Sequence, residues 1–234
     1  MPLLEIKDLK KIYSIDEVET YALRGVSFNV EEGEFIAITG PSGSGKSTLL
    51  HILGFLDKPT TGEYKFSGKM IDKYSENESA VFRNKEIGFV FQSFNLLART
   101  SVIDNIKLPL MYSDIPEKNW HNLATKAIEE VGLSHRVHHY PSQLSGGEKQ
   151  RTAIARALIT NPKIIFADEP TGNLDTKTGE SIMAIFDKLN RINRHTLILI
   201  THEKEVANYA DRIIHIRDGK IEYDRLTKNG KNNI

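Results

Sequence analysis

The sequence predicts an α/β fold with a mostly parallel central sheet, an antiparallel β subdomain beside it and an inserted helical subdomain. Short β-branched runs alternate with amphipathic segments, a pattern typical of α/β proteins. Continuous apolar runs indicate parallel strands covered on both faces, whereas runs that alternate and are bounded by turns indicate antiparallel strands. A stretch with helical periodicity interrupts the strands in the middle of the chain.

The strands are predicted from the kind of apolar run. Continuous runs at 35–39, 163–167 and 196–200 predict the parallel strands. Alternating runs predict antiparallel strands packed beside that core, at 3–12, 23–30, 64–66 and 213–216.

The helical subdomain is predicted over about 93–160. Pro116 suits a first helical turn, and Gly132 supplies a stop. Between them, apolar residues recur at three- and four-residue spacing, namely Trp120, Leu123, Ala124, Ala127, Ile128 and Val131. A second helix is expected to begin after Ser145. Residues 225–234 are mostly polar and are expected to form a flexible tail.

Composition excludes several classes of function. The 234 residues suffice for one large domain with a full core, and 31 basic residues balance 31 acidic ones. A formal net charge of zero argues against a general nucleic-acid binder. The lack of cysteine excludes disulfides, cysteine zinc sites and thiol nucleophiles. No run has the apolar length of a signal peptide or a membrane span, so we expect any membrane role to need a partner.

A phosphate-binding loop follows the first predicted parallel strand. Residues 40–47 fit the pattern G-x-x-x-x-G-K-[ST], and a helical pattern begins directly after them. Glycines let backbone N–H groups turn toward phosphate oxygens, the lysine reaches the β- and γ-phosphates, and the last serine binds Mg²⁺. The motif predicts a P-loop NTPase core that binds Mg²⁺ and a nucleoside triphosphate. The residues expected to bind the nucleotide are Gly40, Ser42, Gly43, Ser44, Gly45, Lys46, Ser47 and Thr48.

Two carboxylates, Asp168 and Glu169, end the second predicted parallel strand. In a P-loop protein, Asp168 would hold Mg²⁺ and Glu169 would polarise the attacking water. The alternative is an acidic pair that caps a strand in solvent. The intact P-loop favours the catalytic interpretation.

Residues 144–148 read Leu-Ser-Gly-Gly-Glu and are the most specific feature of the chain. Ser145, Gly146 and Gly147 place a hydroxyl and two glycine amides at a helix start, where an anion is favoured. Ser145 and Glu148 also have the spacing of a capping box, and the two interpretations are compatible. A chain with one P-loop has no internal need of a second phosphate site. We therefore expect this one to close over the ATP of another subunit.

This order of motifs resembles the nucleotide-binding subunit of ATP-binding cassette transporters, over residues 3–223. The P-loop, Gln92 after a strand, residues 144–148 (the signature), the Asp168–Glu169 pair and His202 after a strand follow in that family's order. The resemblance implies one cassette domain over 3–224 with Mg-dependent ATPase activity. It also implies a homodimer whose copies meet head to tail, each ATP lying between the P-loop of one copy and the signature of the other.

The resemblance assigns roles to four further residues. Tyr13 matches the aromatic residue that stacks on adenine, although a tyrosine at a strand edge is the alternative. Gln92 would touch Mg²⁺ and the attacking water. Asp175 lies in the loop that crosses the dimer interface, and His202 would contact the γ-phosphate and orient Glu169.

The finer likeness is to macrolide-export and lipoprotein-release cassettes, through residues 88–97, 104–110 and 171–175. It implies a peripheral motor at the cytoplasmic face of the membrane that drives a separate membrane subunit and never touches the transported substrate. Residues 93–110 are apolar enough to contact that subunit, although a local hydrophobic core is the alternative.

Other functions have weaker support in the sequence. A cell-division cassette that regulates a cell-wall hydrolase through its membrane partner has the same ATP chemistry and is the alternative function. Ribosomal cassettes usually occur in pairs, and chromosomal ones carry a long coiled coil, whereas this chain has one P-loop and no sustained heptads before the signature. His135, His138 and His139 lack carboxylates at metal-binding spacing, and we expect them on a solvated surface.

Overall fold

A computed structural model describes residues 1–15 and 18–231 of the chain. The chain divides into two compact units, the first made of Met1–Ala80 and Thr196–Ile234 and the second of Val81–His195. Both units combine strands with helices, which confirms the predicted α/β class. No helix within the described residues is long and apolar enough to cross a membrane.

The elements have the following bounds. The strands are β1 (Leu4–Ile15), β2 (Val18–Val30), β3 (Phe35–Thr39), β4 (Thr61–Phe66), β5 (Lys69–Met70), β6 (Ile87–Phe91), β7 (Ile164–Asp168), β8 (Thr196–Ile200), β9 (Arg212–Arg217) and β10 (Lys220–Leu226). The helices are α1 (Lys46–Leu53), α2 (Glu76–Glu86), α3 (Val102–Lys107), α4 (Trp120–Glu130), α5 (Gly146–Leu158), α6 (Thr176–Arg191), α7 (Lys204–Ala207) and α8 (Lys228–Lys231). Short 3-10 turns lie at Ile71–Lys73, Leu108–Tyr112, Glu117–Asn119, Ser134–Arg136 and Pro141–Gln143.

An antiparallel sheet in the first unit has the strand order β2-β1-β4-β5, as the sequence predicts for its first three strands. Leu4, Ile6 and Leu9 of β1 are buried, and each fully buried side chain of this kind contributes about 1.5–3 kcal/mol. β1 and β2 extend beyond the predicted runs to an end where Tyr13 lies opposite Thr20. Side chains there are exposed, so no apolar alternation marks these strand ends.

Four further strands of the first unit lie in the order β10-β9-β3-β8. β3 and β8 are parallel, with Ile38 opposite Ile200, and their apolar side chains are buried. The predicted parallel strands at 35–39 and 196–200 are therefore confirmed. Because parallel strands end at the same edge of a sheet, the residues that follow β3 and β8 come together there.

The prediction that 213–216 forms an antiparallel strand beside the core is confirmed for its pairing with β10 and wrong for its place in the sheet. β9 runs parallel to β3, with Ile38 opposite Ile214, and antiparallel only to β10. The chain between β8 and β9 contains α7 and passes β3, which lies between these two strands, and such a crossover lets β9 run in the same direction as β3. The sequence of β9 alternates because the half-buried His215 lies among buried isoleucines. Such a pattern shows which side chains are buried, but it does not show whether a strand runs parallel or antiparallel to its neighbour.

The second unit contains the parallel pair β6 and β7, with Phe91 opposite Asp168. α5 packs closely on β6, since a Cβ on Gly88 would lie 2.6 Å from the Ala157 carbonyl oxygen. The predicted helices are found as α4 and α5, and Gly132 with φ of 70° follows the end of α4. α3, α4 and α5 all lie within the predicted helical range 93–160.

Several elements have no counterpart in the predictions, and the longest of them are α6, α2 and β10. α2 has no buried residue and β10 is almost wholly exposed, so neither carries an apolar pattern. α6 does carry one, because Ile182, Met183, Phe186 and Leu189 recur at helical spacing and are buried.

The carboxyl-terminal segment differs from the expected flexible tail at 225–234. β10 continues to Leu226, and Thr227 Oγ1 donates to the carbonyl oxygen of Ala210 at 2.6 Å. α8 follows at Lys228–Lys231, while the last part of the predicted tail, 232–234, lies outside the described residues.

Candidate nucleotide-binding site

The phosphate-binding loop of the first unit connects β3 to α1 and requires glycine at two positions. Gly40 and Gly45 have φ angles of 149° and 102°. A Cβ on Gly40 would lie 2.0 Å from the Ile216 carbonyl oxygen, and one on Gly45 would lie 2.3 Å from that of Ala22. Backbone atoms cannot move aside cheaply, so a side chain at either position would distort the loop.

Lys46 and Ser44 give this loop its polar interior. Lys46 is 8% exposed, and its Nζ donates to the carbonyl oxygens of Gly40 at 2.9 Å and Pro41 at 2.8 Å. The buried Ser44 hydroxyl has no hydrogen-bond partner among the described residues. Because an unpaired buried hydroxyl costs about 1–3 kcal/mol, a phosphate oxygen that accepted a hydrogen bond from Ser44 would stabilise the loop. The residues present therefore fit a phosphate group.

His202 lies at the sheet edge where the P-loop begins. The N–H of Thr201, directly after β8, donates to the Ile38 carbonyl oxygen at 3.2 Å. Thr201 Oγ1 in turn accepts from the Glu203 N–H at 3.0 Å, which fixes the turn that carries the exposed His202. The structure thus brings two of the predicted motifs together within the first unit.

Tyr13 is held by its hydroxyl rather than by burial, since the residue is 37% exposed. The hydroxyl donates to Asp57 Oδ2 at 2.8 Å, and Lys11 Nζ lies 4.8 Å from the ring centroid while it bonds Asp57 Oδ1 at 2.6 Å. Partial burial and the hydrogen bond to Asp57 raise the pKa of Tyr13. The sequence does not predict that Asp57 and Lys11 lie beside Tyr13, because Lys11 and Asp57 are 46 positions apart.

In the second unit, Gln92 and Glu169 follow the paired strand ends of β6 and β7. Asn173 links the two loops, since its Nδ2 donates to the Gln92 carbonyl oxygen at 3.0 Å. Glu169 has a φ of 43°, a region that non-glycine residues rarely adopt, and its carbonyl oxygen accepts from the Gly172 N–H at 3.0 Å. The structure therefore brings together Gln92, the Asp168–Glu169 pair and the loop at 172–173.

The signature begins α5 as a complete capping box. Ser145 Oγ accepts from the Glu148 N–H at 3.3 Å, and Glu148 Oε2 accepts from the Ser145 N–H at 2.8 Å. Burial raises the pKa of Glu148, but hydrogen bonds from the Ser145 N–H and from Arg136 outweigh it and lower this pKa to about 2. The predicted cap is thus present, and the predicted phosphate contact remains a prediction.

The signature glycines lie against the loop that carries Asp175 and against the first turn of α6 that follows it. A Cβ on Gly147 would lie 2.5 Å from Thr178 Cγ2, and one on Gly146 would lie 3.0 Å from Leu174 Cδ2. Asp175 caps α6 by accepting from the Thr178 N–H at 3.0 Å, and this hydrogen bonding lowers the pKa of Asp175. The signature and the loop before α6 are therefore packed together in one unit.

The predicted site residues thus form two sets. Tyr13, the P-loop and His202 lie in the first unit, whereas Gln92, Asp168, Glu169, the signature and Asp175 lie in the second. Histidines of the second unit also have polar contacts that their spacing did not predict. His135 Nε2 lies 3.6 Å from Glu148 Oε1, and His139 Nε2 lies 3.0 Å from an Arg136 nitrogen.

A glycine-rich loop between a buried strand and a helix, with a buried lysine and paired carboxylates on another strand, defines a P-loop nucleoside triphosphatase. The chain belongs to the ABC transporter family, whose family model matches residues 23–172. It is the ATP-binding domain of that family, and it is an ATPase.

Relatives of known sequence or structure span nearly all of the chain. An uncharacterized ABC transporter ATP-binding protein of Thermotoga maritima is 52% identical over 94% of each chain. The macrolide export ATP-binding/permease protein MacB of Chlorobium luteolum is 52% identical over 96% of this chain but only 33% of its own length. A dimeric post-hydrolysis structure of the ATP-binding cassette MJ0796 bound to ADP and Pi is 41% identical, with a TM-score of 0.88 over 96% of this chain and 99% of that one.

Proposed function

We propose that the chain is the ATP-hydrolysing motor of a membrane exporter, and that two copies hydrolyse Mg-ATP at sites they share head to tail. The observation that carries the proposal is that the chain has, in separate units, two features whose chemistry suits a phosphate group. One is the P-loop with its buried Lys46, and the other is the capped start of α5 at Ser145. The structure of MJ0796, a relative described as dimeric and bound to ADP and Pi, supports the pairing of two copies.

In this proposal the first unit binds the nucleotide. Tyr13 stacks on adenine, the glycine amides of the P-loop and Lys46 bind the phosphates, and His202 contacts the γ-phosphate. The Lys46 ammonium already lies at the loop, so it needs little reordering to exchange a carbonyl contact for a phosphate oxygen. The partner copy contributes Ser145, Gly146, Gly147 and Asp175.

The carboxylates and amides of the second unit carry the chemistry. Ser47, Gln92 and Asp168 are the proposed Mg²⁺ ligands, and their hydroxyl, amide and carboxylate oxygens suit a hard cation. Mg²⁺ supplies positive charge to the phosphate oxygens when it is bound. Glu169 accepts a hydrogen bond from the attacking water and orients it. The backbone φ of Glu169, 43°, fixes the direction in which its side chain leaves the main chain.

The proposed partner is an integral membrane subunit, and the proposed location is peripheral, at the cytoplasmic face of the membrane. Several relatives are named macrolide export ATP-binding/permease proteins, and the chain spans about a third of their length. We expect residues 93–110 to contact the membrane subunit, because the apolar side chain of Leu97 there is 51% exposed. The names of these relatives favour export over cell-division signalling, and the transported substrate would contact only the membrane subunit.

Replacing Glu169 with glutamine tests the proposed function. Glu169→Gln keeps the side chain's size and removes its negative charge, so ATP binding should persist while turnover falls by about 100-fold or more. The bound ATP should then hold two copies together, and light scattering with ATP should show twice the monomer mass. Wild-type turnover by this variant, or a monomer at saturating ATP, would contradict the proposal.

A further inference from the structure

Glu148 is shared between the signature helix and an arginine outside it. Its Oε2 accepts from the Ser145 N–H at 2.8 Å, while its Oε1 accepts from Arg136 Nε at 2.7 Å. Both carboxylate oxygens are therefore engaged, and the side chain has one orientation. A capping box alone uses only one of them.

The segment that carries Arg136 is itself fixed. Two N–H groups at the start of α3 donate into it, Val102 to the His139 carbonyl oxygen at 2.9 Å and Ile103 to that of Val137 at 3.1 Å. Arg136 Nη1 also lies 3.0 Å from His139 Nε2. The guanidinium is therefore held by both Glu148 and His139. Because it is already ordered, its ion pair with Glu148 loses less side-chain entropy than a mobile surface pair would.

The charge on Glu148 has a consequence for anion binding. A carboxylate in the first turn of a helix stabilises the helix, but it also repels an anion that approaches the same N-terminus. The Glu148 side chain is 18% exposed and that of Arg136 is 34% exposed, so solvent screens this pair only in part. The positive charge of the Arg136 guanidinium lies beside the Glu148 carboxylate and offsets its negative charge. With that charge offset, the start of α5 can still attract a phosphate.

We propose that Arg136 is a positioning residue for the signature: it neutralises and orients Glu148 so that the start of α5 accepts the nucleotide phosphate of a second copy. This inference rests on the proposed function, since it needs a phosphate from another copy. Arg136 does not touch that phosphate in the proposal. It acts through Glu148, whose two oxygens join it to Ser145.

The test uses the full chain carrying Glu169→Gln, the change that lets ATP-bound dimers accumulate. Arg136→Gln keeps a hydrogen-bond donor and removes the charge. We expect the ATP concentration for half-maximal dimer formation to rise about tenfold, the scale expected when an unneutralised carboxylate lies near the bound phosphate. Affinity of the monomer for a fluorescent ATP analogue should stay within about twofold, because the P-loop lies in the other unit.

A second substitution separates charge neutralisation from a general structural role. Glu148→Gln keeps an acceptor for the Ser145 N–H but removes the charge that Arg136 neutralises. Added to Arg136→Gln, it should recover most of the lost dimer formation, and Arg136→Lys should behave nearly as the parent. His138→Ala is the matched control, because His138 lies in the same segment and has no hydrogen bond or ion pair with Glu148 within the described chain.

The outcomes separate the two proposals. If the parent with Glu169→Gln fails to dimerise with ATP, the proposed function fails. If the parent dimerises and Arg136→Gln dimerises equally well, the role of Arg136 is wrong. If the double variant dimerises as weakly as Arg136→Gln alone, the role of Arg136 is also wrong. If Arg136→Gln does not fold, Arg136→Lys is compared with the parent instead. Weak dimer formation by the lysine variant would contradict a role of charge.

Discussion

Lys46 shows at the residue scale how this loop is prepared for an anion. Its ammonium is buried and held by two carbonyl oxygens of its own loop, Gly40 and Pro41, at less than 3 Å. A lysine held in this way keeps its charge at the centre of the loop, where the neighbouring Ser44 hydroxyl is also buried. The loop therefore has the charge and the donors that a triphosphate needs before any nucleotide arrives.

Removing this lysine should weaken nucleotide binding. Lys46→Ala deletes the buried ammonium, and we expect nucleotide affinity to fall about tenfold or more, because a hydrogen bond to a charged group contributes about 1.5–3 kcal/mol. Titration with a fluorescent ATP analogue measures the change. Lys7→Ala removes the same charge from an exposed position of β1 and should bind as the wild type does. Equal affinities for the two variants would refute the role of Lys46.

Glu148 predicts a pH dependence of stability. The pKa of Glu148 is lowered from 4.5 to about 2, so its stabilisation is complete above pH 4.5 and is lost as pH falls toward 2. Glu148→Gln does not titrate. The difference in unfolding free energy between the wild type and this variant, measured with urea, should therefore shrink as pH is lowered from roughly 5 to 2.5. A difference that stays constant over this range would show that Glu148 has no lowered pKa.

At the scale of elements, the loop after β6 is strained and is held by α5. Phe94 and Asn95 both have positive φ, 62° and 50°, a conformation that costs of order 1–3 kcal/mol for residues other than glycine. Arg156 of α5 donates to their carbonyl oxygens at 2.9 Å and 2.6 Å. The fully buried Asn105 fixes the rest of the loop, with its Oδ1 accepting from the Leu97 N–H at 2.8 Å. This loop follows Gln92 and forms the first part of the segment, 93–110, that we expect to contact the membrane subunit.

Removing Arg156 should loosen this loop. Arg156→Ala leaves two carbonyl oxygens without their charged donor, and we expect a loss of about 2–4 kcal/mol in unfolding free energy. Amide hydrogen exchange should accelerate at 93–101 more than within α5, because the strained turn opens first. Arg156→Lys, which keeps the charge and one donor, should fall between the two. Unchanged exchange at 93–101 in Arg156→Ala would contradict this account.

Elements with a local signal could be predicted from the sequence, and those that depend on pairing could not. The P-loop, the buried strands β3 and β8 and the capped start of α5 each follow from residues within a few positions of one another. The direction of β9 depends on the crossover before it, and β10 is an exposed edge strand without an apolar pattern. Arg136, Arg156 and Asp57 act across 12 to 62 positions of sequence, so spacing alone does not reveal them.

At the scale of the whole molecule, the chain carries the parts of an ATPase in two compact units. The first has the P-loop and His202, and the second has Gln92, the Asp168–Glu169 pair and the signature. Family membership establishes the ATPase activity. The central claim that goes beyond it is that the signature serves the ATP of a second copy and not that of its own chain.

Mixing two inactive variants tests this claim most directly. Lys46→Ala removes the P-loop lysine and Ser145→Arg blocks the signature, so each variant alone should lack ATPase activity. In an equal mixture, a head-to-tail heterodimer has one site with both parts intact, and random pairing should restore roughly a quarter of the wild-type sites. Mixing Lys46→Ala with the double variant Lys46→Ala/Ser145→Arg is the control and should restore none. Activity in the first mixture supports the shared site, and activity no greater than the sum of the separate variants would contradict it.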